Sequence, residues 1–375
     1  MVQATDSDRK INFFNTYISP AAIDLVTETL RSTFISEGEM VRRFEGMLGE
    51  QLGIINPVAL NSGTSALHLG LVIAGVGPGD EVIIPAQTFV ATGLVVLQQG
   101  ARPVFTDCDP TTGNIHVDSL RRRITERTKA IIPVHWGGYP CDMDEINAIA
   151  AEHGLAVIED AAHALGATYK GKPVGTLSRF TAFSFQAIKH LTTGDGGALA
   201  ALSDEDAHAV RTRRWFGIDR AGSKPSILGE REYDIAEVGY KYHLNDLGAA
   251  LGVGNLLDFE ANLKHIREIA AIYYKRLYGT EGMRQLSYES DRQSSYWLYT
   301  VLVERRLDLI RMLKEKGIPT SVVHQRIDRN SVFGGLTPDL HGQTIFDMMQ
   351  LALPIHAGIS LETAEEICDT IKGGW

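Results

Sequence analysis

One lysine, Lys189, stands between an aromatic run and a glycine-rich loop in FSFQAIKHLTTGDGG, residues 183–197. Burial disfavours the charged amine, so a lysine held there becomes a nucleophile or base near neutral pH. The ordinary alternative is a surface amine whose stem lies along apolar neighbours. Asp160 ends LAVIED and is followed by AAHALG with His163. Successive strand residues face opposite ways, so of Glu159 and Asp160 one at most enters a cleft, the alternative being a cap for the next turn. Asn61, Ser62, Gly63, Thr64 and Ser65 precede an apolar run with helical spacing. Free N–H groups, hydroxyls and the helix dipole would favour a phosphate there, a plain serine or threonine cap being the alternative. Phe89 follows EVIIPAQT, where an aromatic either joins the core or lies flat on a planar ligand. A phosphate nest, an aromatic plate, a carboxylate and a lysine on successive units are the parts that hold pyridoxal phosphate.

Those parts need a scaffold. From residue 56 onward, short β-branched runs alternate with helix-period segments: EVIIP, RPVF, KAIIPVH, LAVIED, TAFSF and GALAAL. This is the pattern of βα units building a mostly parallel sheet covered by helices on both faces, with polar residues at the strand ends lining a ligand site. SPAAIDLVTETLRSTF predicts a first helix capped by Ser19, with Pro20 at its first position and Ile23, Val26, Leu30 and Phe34 as its apolar stripe. DMDEINAIAAEHG predicts a helix capped by Asp142 or Asp144, buried along Met143, Ile146, Ile149 and Ala150, and ended by Gly154. After about residue 254 the texture changes to long helical segments and one strand, YWLYTVLV. The expected organisation is a polar tail over 1–10, a large cofactor-binding domain over 11–254 and a small α+β domain over 255–375.

The 375 residues are 44% apolar with a net charge of −10, enough to bury one large core and a smaller second one. The acidic balance argues against nucleic acid as the main partner, and Arg121, Arg122 and Arg123 read as a solvated helix face. No apolar run reaches a membrane span and the first ten residues carry no signal-peptide core, so a cytoplasmic protein without a membrane partner is expected. Cys108, Cys141 and Cys368 lack metal-ligand or disulfide spacing, and no metal is expected. Neither G-x-x-x-x-G-K-[ST] nor G-x-G-x-x-G occurs, which counts against nucleoside triphosphatases and dinucleotide enzymes.

NSGTSALHLGL, GDEVIIPAQTFVAT, DCDPTTGNI, PVHWGGYPCDMDEI, VIEDAAHALGA, FSFQAIKHLTTGDGGAL and GYKYHLNDLGAALG follow one another along the chain. In these motifs and their order the sequence resembles the DegT/DnrJ/EryC1/StrS sugar aminotransferases, from about Phe13 to the C-terminus. The resemblance implies the α/β aspartate aminotransferase-like fold: a central, mostly parallel seven-stranded sheet flanked by helices, plus a smaller C-terminal α+β domain. It implies pyridoxal phosphate, with Lys189 forming the Schiff base, Asp160 pairing with the pyridine nitrogen, His163 near the phenolic oxygen and Phe89 on the ring. Gly63, Thr64 and Ser184 would hold the phosphate. It also implies a homodimer with shared sites, in which Lys241 of GYKYHLND reaches the neighbour's phosphate where most relatives carry asparagine.

The implied reaction moves an amino group from glutamate, by way of pyridoxamine phosphate, to a 3-keto or 4-keto deoxysugar on a nucleotide. Trp215, His324 and Arg326 are the residues expected to meet that sugar. Relatives that replace the lysine with histidine are sugar dehydratases. Retention of Lys189, with His190 beside it, favours transamination over a dehydratase, and a cyclitol ketone is the alternative acceptor.

Overall fold

The computed structural model describes residues 11–220 and 222–375, so the expected tail over 1–10 lies outside the described residues. The main sheet contains β1 (Val58–Leu60), β2 (Glu81–Pro85), β3 (Arg102–Thr106), β4 (Thr128–Ile131) and β5 (Ala156–Asp160). After a two-stranded ribbon, β6 (Thr168–Tyr169) and β7 (Lys172–Pro173), it is completed by β8 (Phe180–Ser184) and β9 (Gly197–Ala201). Its order is β1-β9-β8-β5-β4-β2-β3. The six runs from EVIIP to GALAAL fall on strands of this sheet.

The sheet is parallel from β8 through β5, β4 and β2 to β3, whereas β9 runs antiparallel to both β8 and β1. The departure from simple βα alternation has a local cause. Residues 185–196 carry no helix and double back across the strand ends, and a parallel neighbour would require a crossover on one face of the sheet. Ser184 therefore pairs with Gly197, and Gly197 in turn with Leu60. The Lys189 loop is set beside the residues that follow β1.

Period-two alternation sends side chains to two cores. Phe180, Ala182, Leu199 and Ala201 pack on one face with α3 (Gly63–Ile73) and α4 (Val90–Gln98), while Phe183, Ala198 and Ala200 pack on the other. That other face is covered by α2 (Glu39–Leu52), α8 (Asp246–Leu256) and, at its far side, α5 (Val117–Arg123) and α6 (Met143–His153). Helix α6 buries the four residues its spacing predicts, and Gly154 closes it with φ 64°. Asp142 holds the N-cap position without a side-chain bond. Helix α7 (Asp204–Arg213) lies with α3 over β9.

Helix α1 (Pro20–Ser32) has the predicted cap, with Ser19 Oγ accepting from Ala22 N, but a different buried face. It ends at Thr33 with φ 63°, so Phe34 lies beyond it. Ala22 and Thr29 are buried, while Ile23, Leu30 and Phe34 are exposed at 59%, 54% and 81%. The reason is close backbone approach to α8: a Cβ added at Gly254 would stand 2.2 Å from Ala22 Cα. Small residues seat the helix pair, and the large apolar ones face outward.

Helix α9 (Phe259–Leu277) joins the two parts of the chain. Phe259 and Leu263 belong to a core under the main sheet, whereas Ile266, Ile269 and Tyr273 belong to a third core. That third core holds the sheet of β12 (Met283–Gln285), β14 (Tyr299–Val303) and β15 (Gln350–Leu353) with α10 (Arg306–Glu315) and α12 (Leu361–Lys372). The expected 254/255 junction falls inside α8. β13 (Arg292–Gln293) pairs with β6, so that β13-β6-β7 is a three-stranded sheet, and β10 (Lys224–Pro225) forms a two-stranded hairpin with β11 (Arg231–Glu232). Helix α11 (His341–Met349) packs beside β14. Among the described residues, no helix is long and apolar enough to cross a membrane, and no cluster of three or more potential ligands could hold a metal.

Candidate active site

A cavity of about 340 Å³ opens at the carboxyl ends of β1, β2, β5 and β8. It brings together Gly63, Thr64, Phe89, Asp160, His163, Ser184, Lys189 and His324. Residues more than 260 positions apart thus share one pocket, as expected where parallel strands end.

At the β1 end, Leu60 leads through Asn61 into α3, whose cap is Ser62: its Oγ accepts from Ser65 N at 3.0 Å. The backbone N–H groups of Gly63 and Thr64 are left without helical partners, as at any helix start. A cradle is formed around them. A Cβ on Gly63 would meet Ser184 Cβ at 3.0 Å, and one on Gly197 would meet Ser62 C at 2.4 Å. The helix N-terminus, Ser184 and the 194–197 loop therefore enclose a space that suits an anion. Phe89 caps α4, is half exposed, and tilts against His324 with ring centroids 5.0 Å apart.

Asp160 and Glu159 leave β5 in opposite directions, as the strand period requires. Glu159 turns to the far face, where it meets His135 Nε2 at 2.8 Å and accepts from Thr181. Asp160 faces the pocket, accepting from Thr92 Oγ1 at 2.7 Å and from Ala162 N at 3.2 Å. Burial raises its pKa, an effect opposed by the Thr92 bond, the Ala162 bond and the Lys189 charge. Its carboxylate is fixed but left short of a positive partner. A protonated ring nitrogen would supply one.

Burial pushes the Lys189 amine down to about 7, against the pull of Asp160. A base whose pKa lies near neutrality can both take and return a proton. His163 lies well below its usual range through burial, then through the charge of Lys189 and the other histidines. Its buried Nδ1 has no protein partner. His324 is held down to about 4 by burial and Lys189. These imidazoles are neutral at pH 7.

The structure places other predicted residues elsewhere. Arg326 was expected at the sugar, but its guanidinium is turned inward and ties Asp328 through bonds of 2.7 and 2.6 Å, with further bonds to Thr344 and Thr337. Asp328 is fully buried, which explains the correction: the arginine neutralises a buried carboxylate. Trp215 lies outside the pocket, edge-on to His243 and beneath the Lys241 amine at 3.7 Å. Lys241 is exposed and bridges to Trp215 beside Asn61. His190, next to Lys189 in sequence, turns away and meets the Ser295 carbonyl with Nε2 at 2.8 Å.

Sequence reasoning missed Thr92 and Trp297. Thr92 lies one helical turn after Thr88, with which it shares a 2.7 Å bond, in a segment read only for its aromatic. Trp297 is the second residue of the run read as a strand, and nothing local marks it. Its ring stacks on His163 at 3.9 Å, and Lys189 Nζ lies 3.5 Å from its centroid.

Residues 17–372 match the sequence pattern of the DegT/DnrJ/EryC1/StrS aminotransferase family. The chain is 37% identical over 346 residues to GDP-perosamine synthase of Caulobacter vibrioides, covering 90% of this chain and 91% of that one. The crystal structure of the sugar aminotransferase CalS13 from Micromonospora echinospora superposes with a TM-score of 0.92 at 35% identity, over 97% of this chain and 100% of that one. The putative sugar aminotransferase Spr1654 from Streptococcus pneumoniae, solved in a PLP form and a PMP form, gives a TM-score of 0.89 at 31% identity for each, over 97% of this chain in both. In those two comparisons, 98% of the PLP-form chain and 97% of the PMP-form chain are covered.

Proposed function

The chain belongs to the DegT/DnrJ/EryC1/StrS aminotransferase family, and on that premise we propose that it is a pyridoxal phosphate-dependent transaminase acting on a nucleotide-linked keto sugar. The observation that carries this reading is the meeting of Lys189, Asp160, His163 and the α3 N-terminus in one cavity. The donor set suits the cofactor part by part. Gly63 N–H, Thr64 and Ser184 would take its phosphate, Asp160 its ring nitrogen, the unpartnered His163 Nδ1 its phenolic oxygen, and Phe89 one face of its ring.

When bound, pyridoxal phosphate supplies an electron sink for charge at the amino donor's α-carbon. The residues do the rest. Lys189 would hold the cofactor when it is bound, and its amine Nζ, once released, would accept and return a proton. Asp160, fixed by Thr92 and Ala162 N–H, would keep a ring nitrogen placed against it protonated. Glutamate is the donor in this reading, and a 3-keto or 4-keto deoxysugar the acceptor. His324, on the pocket wall beside Phe89, is the residue that faces the sugar. His190 supports amino transfer over dehydration, since its imidazole is turned to Ser295 and away from the lysine's role.

The reading includes a cytoplasmic homodimer. Cys108, Cys141 and Cys368 are free and buried, which suits a reducing compartment. The outward stripe of α1 and the hairpin tip, where Ile227 and Leu228 are wholly or largely exposed, offer apolar area to a second copy. Lys241, outside its own protomer's pocket and exposed, would leave the Trp215 ring to reach the neighbour's phosphate.

The test is spectroscopic. Protein loaded with pyridoxal phosphate and freed of unbound cofactor should stay yellow, and glutamate should bleach it. Lys189→Ala should lose the colour and at least 1,000-fold of turnover on nucleotide-linked keto sugars, on the order expected for a covalent catalytic group. Substantial turnover by that variant would sink the assignment.

A further inference from the structure

Trp297 precedes β14 and is contributed by the C-terminal part of the chain, yet its ring reaches the pocket formed by the main sheet. It is held on several sides. Its Nε1–H donates to the Ile188 carbonyl at 2.9 Å, one residue before Lys189. Its ring stacks on His163 at 3.9 Å and 19°, and on Phe14 at 5.3 Å and 18°. The backbone that carries it is tied down as well. His190 bonds the Ser295 carbonyl, Ser295 Oγ donates to the His163 carbonyl at 2.8 Å, and Leu298 N donates to Gly137 O at 3.2 Å.

This anchoring presents an aromatic face to one charged group. Lys189 Nζ stands 3.5 Å from the ring centroid, within the range where an ammonium is attracted by the ring quadrupole. The titratable groups around the amine include Asp160, His163, His190 and His324, with Asp195 on the pocket wall and Tyr17, Tyr296 and His356 on an adjoining small cavity. The imidazoles of His163, His190 and His324 are neutral at pH 7. Asp160 spends its bonds on Thr92 and Ala162 N and acts on the amine through space.

We propose that Trp297 is a positioning residue for Lys189, its indole face serving as the dock for the protonated amine whenever Nζ is not joined to a carbonyl carbon. The inference rests on the reading of Lys189 as the cofactor-bearing lysine. In that role the amine must leave its partner, hold a proton and come back. The dock gives it a defined place to wait, stabilises the ammonium in a pocket that otherwise disfavours it, and keeps it close to where the proton is used.

The experiment reads the amine itself, in cofactor-free enzyme. The rate of carbamoylation of Lys189 by cyanate, followed by peptide mass spectrometry across pH, gives the midpoint of its titration, expected in the wild type below the ordinary lysine range because of burial. An attraction that favours the charged form raises a pKa, so losing it lowers the midpoint. Trp297→Leu should shift it down by about one unit, and Trp297→Phe, which keeps a weaker face but no N–H, by clearly less. A wild-type midpoint in the leucine variant overturns the proposal. So does a phenylalanine variant shifted as far as leucine, since the N–H anchor would then be the active part. Melting curves show whether each variant is folded. If the wild-type protein fails to colour with pyridoxal phosphate, the cofactor reading falls, while the ordering of midpoints still decides whether the dock exists.

Discussion

Lys189 and Arg326 are both cations set among apolar neighbours, and their surroundings give them opposite work. Arg326 closes two bonds on Asp328 and has little freedom left. Lys189 has no such partner, and burial brings its amine to about 7. The contrast leads to a prediction for the arginine. Arg326→Met should destabilise the protein by about 3–5 kcal/mol, because it strands a buried carboxylate, and leave KM for the sugar unchanged in the folded fraction. Denaturant titration and steady-state kinetics check it; a stable variant with a raised KM would restore the sugar role. Both cations were singled out from sequence as candidates. Which one is free was not legible, because Asp328 is only two residues from Arg326 and local spacing alone does not say that the two side chains fold onto each other in the interior.

Among the elements, the anion cradle depends on backbone fit at three chain segments. The β1–β9 pairing presses Gly197 against the turn into α3, where a methyl group would lie 2.4 Å from Ser62 C and 2.5 Å from Gly63 N. Gly197→Ala should push the α3 N-terminus aside, costing roughly 1–3 kcal/mol of stability. It should weaken pyridoxal phosphate binding more than binding of pyridoxal, which lacks the phosphate. Fluorescence titration with the two ligands measures this, and an equal effect on both would mean that the cradle does not hold the phosphate. Helix α6 was readable residue by residue, since its partner is the broad face of a sheet. Helix α1 was not: its stripe satisfies the same spacing, but a Gly254–Ala22 approach decides which face is buried.

For the whole molecule, the outward stripe of α1, the exposed hairpin tip and the position of Lys241 belong to one expectation, two copies that complete each other's sites. Lys189→Ala and Lys241→Glu homodimers should each be nearly inactive. Mixed and refolded together, they should recover about a quarter of wild-type activity, because half of a random mixture is hybrid and each hybrid has one intact site. No recovery, with dimers present by light scattering, would place Lys241 in the service of its own protomer. The pairing of the antiparallel β9 with β1 and β8 also belongs to this scale. It puts the Lys189 loop beside the α3 N-terminus, an adjacency that alternating runs of apolar residues do not specify.

The sequence by itself determined the strand runs, the start of α1, the span of α6 and the set of residue types suited to one cofactor, because these follow from period, capping and the chemistry of single side chains. Motif order was enough to indicate the family. Tertiary structure alone decided that Trp297 faces Lys189, that His190 turns to Ser295, that Arg326 is sequestered by Asp328, and that α1 presents its large apolar residues outward. Each of these depends on where elements distant along the chain, or side chains folded into the interior, come to lie. Packing fixes that placement through shape and burial, and local spacing carries no record of it.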